Sequence, residues 1–118
     1  MSLNKLVFYG ISISDSDQYS SEYIIYDDKD NIIVKGSKIL SNTTNNYAKY
    51  MALCRGLYIA KEKGIKSLII QSDSKEIINQ LKGLCKCENK NLVGLYNKII
   101  SLLKLLDKYN FVHYTKES

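Results

Sequence analysis

The chain has 118 residues, enough for one domain with a single substantial core and too few for two. With 45% hydrophobic and 25% charged residues it has the make-up of a globular protein, not of a disordered or fibrous one. The formal charge of +5 rests almost wholly on lysine, Arg55 being the lone arginine, so nucleic acid is compatible with the composition without being required by it. Three cysteines, an odd number without framework spacing, point to reduced thiols. No apolar run approaches the roughly 20 residues of a membrane span, and no signal peptide opens the chain. A cytoplasmic or nuclear protein, neither secreted nor membrane-bound, is expected.

Taken in order, Lys5 to Ile13 reads as a strand, with Val7, Tyr9 and Ile11 on one face and Phe8, Gly10 and Ser12 on the other. Ser14 to Ser21 is a polar loop. Glu22 to Tyr26 is a second strand, the Asp27–Asn31 stretch a turn, and Ile32 to Leu40 a third strand, which makes an antiparallel meander. Thr43, Thr44, Asn45 and Asn46 offer caps for a helix from Tyr47 to Lys63, which Gly64 stops. Its broad apolar face carries Tyr47, Tyr50, Met51, Leu53, Cys54, Leu57, Tyr58 and Ala60. Leu68 to Ile70 suits a strand buried on both faces, and Ser72 to Ser74 can cap a following helix that buries Ile77, Ile78 and Leu81. Lys82 to Asn91 is a connector. Leu92 to Tyr109 reads as a long helix, with Leu95, Ile99, Leu102, Leu103 and Leu106 on its apolar face, and Phe111 to Tyr114 as a last strand. The expected fold is a single α/β domain over residues 1–118, of order βββαβααβ, with a mixed sheet flanked by helices. A carboxylate just beyond the strand ending near Ile70, namely Asp73, stands where open α/β sheets place their ligands.

That order and two motifs resemble the ribonuclease H-like superfamily, in particular its compact reverse-transcriptase-like members. The first motif, Thr44-Asn45-Asn46-Tyr47-Ala48-Lys49-Tyr50-Met51-Ala52-Leu53 with Gly56-Leu57, is similar to the family's T-N-N-x-A-E-Y-x-A-L…G-L helix. The second, Asp73-Ser74 with Asn79-Gln80-Leu81, is similar to its D-S-x-x-x-x-N-Q-L segment. Asn91-Leu92 and the end from His113 to Glu117 match more weakly. The resemblance implies hydrolysis of the RNA strand of an RNA/DNA hybrid by two Mg²⁺ or Mn²⁺ ions about 4 Å apart, held by about four carboxylates.

Position by position, this chain keeps one of them. The first-strand D-G-S reads Tyr9-Gly10-Ile11, and the helix glutamate is Lys49. Asp73 is retained, and the fourth carboxylate would lie on a C-terminal helix that is not in this sequence. A degenerate site with no metal cofactor is therefore expected, together with a compensating Lys49–Asp73 ion pair; Mg²⁺ or Mn²⁺ enters only if the site is active. Asp15 lies six strand residues past Tyr9, about 20 Å away, Asp17 farther still, and Glu117 would need the tail to fold back. Glu76 is read either as a neighbour of the site or as a capping-box glutamate.

The same resemblance implies nucleic-acid contacts at Gly10, Ser12, Thr44, Asn45, Asn46, Ser74 and Asn79. Plainer readings stand beside these: Asp73 as a helix N-cap, Lys49 as a solvated lysine, Tyr9 packed on the helix, His113 as a strand-end residue. Cys85 and Cys87 could join Cys54 or His113 around a metal, against which stands their C-x-C spacing. Three functions follow as alternatives: an inactive domain that binds RNA/DNA hybrid or RNA, an active metal-dependent ribonuclease H, and a structural or protein-interaction domain, homodimeric through a strand edge or the tyrosine-rich meander.

Overall fold

The computed structural model describes residues 3–13 and 17–115. Eight elements follow in the expected order: β1 (Asn4–Ser12), β2 (Tyr19–Tyr26), β3 (Ile32–Leu40), α1 (Asn45–Glu62), β4 (Ser67–Ser72), α2 (Lys75–Leu81), α3 (Lys90–Leu103) and β5 (Lys108–His113). The strands form one five-stranded sheet in the order β3-β2-β1-β4-β5. The meander β1-β2-β3 is antiparallel, whereas β1 with β4 and β4 with β5 run parallel. Parallel neighbours need crossover connections, and α1 and the α2–α3 pair supply them.

One face of the sheet makes the core. Leu6 and Phe8 of β1 pair with Ile25 and Tyr23 of β2, and Leu68 and Ile70 of β4 continue the same buried layer. Against it pack Tyr50, Leu53, Leu57 and Ala60 of α1, Ile77 and Leu81 of α2, and Leu92, Ile99 and Leu103 of α3. The opposite face carries Val7, Tyr9, Glu22, Ile24, Tyr26 and Ile69, all only half-buried. Among the described residues no helix is long and apolar enough to cross a membrane.

Local chemistry sets the boundaries. The Thr44 hydroxyl accepts from the backbone N–H of Tyr47 at 3.2 Å and caps α1. Gly64 adopts φ +73° past its end, where the Gly64 and Ile65 N–H groups close onto the carbonyls of Lys61 and Ala60. The Asp27 carboxylate holds the β2–β3 turn by accepting from the N–H groups of Lys29 at 2.8 Å and Asn31 at 2.9 Å. Those bonds, the one from the Asn31 backbone first, hold the Asp27 carboxyl below the usual aspartate range.

Several boundaries differ from expectation. The last helix stops at Leu103 rather than Tyr109, and Lys108 and Tyr109 are already in β5. Helical periodicity runs on through Leu106, but the chain must turn for Lys108 to pair with Ser67, and the Asp107 N–H binds the Lys66 carbonyl at 2.8 Å. α3 also begins earlier, within the expected connector, because Asn89 caps it by accepting from the Asn91 N–H. β2 begins at Tyr19, inside the expected loop, and residues 14–16 of that loop lie outside the described residues. β4 buries one face fully, alternating buried and half-buried residues, because the three helices share one side of the sheet. Tyr58 is exposed despite its helical spacing, since the helix turns that edge outwards beyond Cys54.

Candidate functional site

The C-terminal end of β4 lies between two parallel neighbours, the central strand β1 and the outer strand β5, so its loop opens at the carboxyl end of the parallel strands. Ser74 rather than Asp73 caps α2, its hydroxyl accepting from Ile77 at 3.3 Å. The Ser72 hydroxyl accepts from the Ser74 N–H at 3.1 Å and tightens the turn. Asp73 is thus relieved of capping, and its carboxylate turns to α1. The Lys49 ammonium stands 3.4 Å from Asp73 Oδ1, with the two side chains only 12% and 21% exposed. Oδ1 is buried and takes no hydrogen bond, so the lysine compensates it as a charge and not as a directed donor.

Above this pair the two helix starts are tied together. Asn46 donates to Glu76 Oε2 at 3.3 Å. Glu76 occupies the second position of α2, one short of where a capping-box glutamate belongs, so that reading does not hold. Gly10 lies directly against this end of α1: a Cβ there would meet Asn45 Oδ1 at 2.7 Å. Thr44 caps α1 and Ser74 caps α2, while the Asn79 carbonyl accepts from the N–H groups of Leu84 and Cys85 behind the site. Asn45 is exposed beside Gly10, and Ser12 is exposed at the end of β1.

Tyr9 does not pack on α1. It belongs to the sheet face opposite Phe8, directly across from Glu22. Burial raises the Tyr9 hydroxyl pKa first, and the hydrogen bond and charge of Glu22 raise it further, with smaller contributions from Tyr26 and Tyr114. Tyr114 is raised likewise, by burial and then by the negative charge of Asp73 near it. The backbone places it there: β5 pairs to Ser72, and the Tyr114 N–H continues to the Ser72 carbonyl at 3.1 Å. His113, a strand-end residue, donates from Nε2 to the Asp73 carbonyl at 3.2 Å. Asp17 is exposed, while Asp15 and Glu117 lie outside the described residues. Among the described residues no three acidic, histidine or cysteine side chains converge as a metal site, Cys85 and Cys87 included.

The reverse transcriptase-like family profile matches residues 9–118. The chain belongs to that family. Its fold is the ribonuclease H-like one: ribonuclease H1 of Halobacterium salinarum superposes with a TM-score of 0.86 at 22% identity, over 96% of this chain and 86% of that one. LC11 ribonuclease H1, isolated from compost, gives 0.86 at 26% identity over 98% and 86%, and its complex with an RNA/DNA hybrid gives 0.85 at 24% over 96% and 86%. In sequence the chain is 26% identical over 84 residues to the bifunctional protein Rv2228c of Mycobacterium tuberculosis, covering 71% of itself and 23% of that protein. It therefore spans about a quarter of the length of that curated relative.

Sequence reasoning paired Lys49 with Asp73, because both lie in the matched motifs. It missed Glu22, Tyr26 and Tyr114. Glu22 follows from register: Ile13 donates to the Gln18 carbonyl, and counting outward from that pair sets Tyr9 opposite Glu22. No such count reaches Tyr114, whose place depends on a parallel crossover.

Proposed function

We propose that this chain is a ribonuclease H-like domain that binds nucleic acid, an RNA/DNA hybrid or RNA, without hydrolysing it. The observation that carries this reading is the Lys49–Asp73 pair. Two-metal hydrolysis requires several carboxylate oxygens around the scissile phosphate. Here a built-in cation faces the one retained carboxylate, and a tyrosine stands on β1 where the family has an aspartate. Such a donor set does not fit Mg²⁺ or Mn²⁺, since it both lacks oxygens and repels a divalent ion. What remains suits contact without chemistry. Gly10, Ser12, Thr44, Asn45, Asn46 and Ser74, at the end of β1 and the starts of α1 and α2, with Asn79 farther along α2, are the small or polar residues this reading assigns to phosphates and sugar hydroxyls. The solved hybrid complex of a structural relative supports the choice of ligand.

The test follows a fluorescent RNA/DNA hybrid by anisotropy and by gel, with EDTA, Mg²⁺ or Mn²⁺. Binding should occur in EDTA and weaken about ten- to fortyfold between 50 and 200 mM salt, as expected for two or three phosphate contacts. No cleavage should appear with either metal. Metal-dependent cleavage that Asp73→Asn abolishes would overturn the reading. A second reading rests on the free edge strand β3, where Ile32 and Ile39 are 58% and 63% exposed. If hybrid and single-stranded RNA both fail to bind, that edge as a protein-interaction surface is the better account.

A further inference from the structure

Away from the β4 loop, α1, α3 and Tyr23 of β2 border a groove of about 710 Å³ along the C-terminal half of α1. Its size falls within the few hundred to about 1,000 Å³ typical of small-molecule sites. The floor is apolar, made of Tyr23, Cys54, Ile59 and Leu102. The charges are all of one sign: Arg55, Lys61 and Lys98 line it, and no acidic residue does. Glu62, the acid nearest on the same helix, engages the Tyr58 hydroxyl instead.

Arg55 is the informative member. Its guanidinium lies 5.5 Å from the centre of the Tyr23 ring, and its Nη1 is buried with no hydrogen-bond partner. A buried guanidinium nitrogen without an acceptor is costly, and stacking on an aromatic face does not satisfy its N–H groups. Lys98 reaches the same space from α3, close enough to the Cys54 thiol to oppose the upward shift that burial gives it. Two cations from different helices thus line one groove over its apolar residues, and among the described residues no acid lines it with them.

We propose that this groove binds a small amphipathic anion, a carboxylate or phosphate head on an apolar body, with the head on Arg55 and Lys98. An arginine and a lysine side chain suit either head as charge-assisted donors. The apolar body replaces water over Ile59 and Leu102. The site is separate from the Lys49–Asp73 pair: Lys49 and Arg55 are six residues apart, about 9 Å along the helix and on different faces.

Cys54 lies in the groove and reports on occupancy. The full chain is alkylated with iodoacetamide and digested, and the three cysteines are followed separately by mass spectrometry, Cys85 serving as the exposed control. The probes are octanoate, octyl phosphate, octanol and octylamine, each to about 10 mM, a range that detects Kd values down to weak millimolar binding. Octanoate or octyl phosphate should slow Cys54 alkylation severalfold without affecting Cys85, and the stronger of the two identifies the head. Lys98→Glu, a change at an exposed position, should weaken that protection about tenfold or more, and Arg55→Met should do the same. Hybrid binding by either folded variant should be unchanged. Equal protection by octylamine or octanol, no protection by either anion, or protection that survives Lys98→Glu would overturn the proposal.

Discussion

A lysine 3.4 Å from a buried carboxylate oxygen makes Lys49 the residue whose replacement says most. Lys49→Met leaves Asp73 Oδ1 enclosed with no compensating charge, and a loss of about 1–3 kcal/mol is expected from chemical denaturation, the pair being partly solvated. Lys49→Glu should cost at least as much in EDTA, because two carboxylates then share the space. In contrast to the parent, that variant should recover several degrees of melting temperature in millimolar Mn²⁺. A variant insensitive to Mn²⁺ would show that Asp73 is not oriented as a ligand. At the β2–β3 turn, Asp27 sets a pH dependence. Its folded carboxyl is lowered, so its stabilisation is complete above the ordinary value of 3.8 and disappears as pH falls through the lower folded value. The stability difference between the parent and Asp27→Ala should therefore be constant from pH 7 to about pH 5 and shrink towards pH 2.

Elements were legible where local chemistry decides them. Thr44, Gly64, Ser74 and the Asp27–Asn31 turn act within four or five residues, and the structure shows each of them at an element boundary. The end of α3 was not legible, because Leu105 and Leu106 prolong a helical pattern that pairing with β4 overrides. Packing between elements brings a further constraint. The Tyr23 ring lies between Gly36 of β3, where a Cβ would stand 2.3 Å from Cε1, and Gly56 of α1, where it would stand 3.3 Å from the ring. Gly36→Ala has nowhere to push the ring and should cost about 2–3 kcal/mol in a urea melt. Gly10→Ala mainly displaces the exposed Asn45 amide, so a smaller loss of about 1 kcal/mol is expected. If Gly10→Ala proves the worse of the two, the β1–α1 contact is the stiffer one.

For the molecule as a whole, the outer strands of the sheet, β3 and β5, each have an edge that no strand pairs among the described residues. On β3 the isoleucines 32 and 39 leave more than half their surface in solvent, which favours edge-to-edge pairing. Ile32→Lys with Ile39→Lys should lower concentration-dependent association in light scattering while changing stability by less than about 0.5 kcal/mol per site. The site was legible only where one motif carries the neighbours. Lys49 and Asp73 fell within matched segments, whereas Tyr9, Glu22 and Tyr114 are joined by hairpin register and a crossover that no local pattern encodes.

The Lys49 ammonium has a consequence for how the fold responds to its surroundings. A bound ion stabilises a protein in proportion to the logarithm of its free concentration, so a fold that relies on one inherits the fluctuations of the solution. Lys49 is a counter-ion on a covalent leash: it neutralises Asp73 at a local concentration fixed by α1 and cannot be dialysed away. Chelator, divalent ions at constant ionic strength and dilution should all leave the melting curve of the parent chain superimposable. The Lys49–Asp73 contact should then hold the same geometry whether divalent ions are plentiful or scarce.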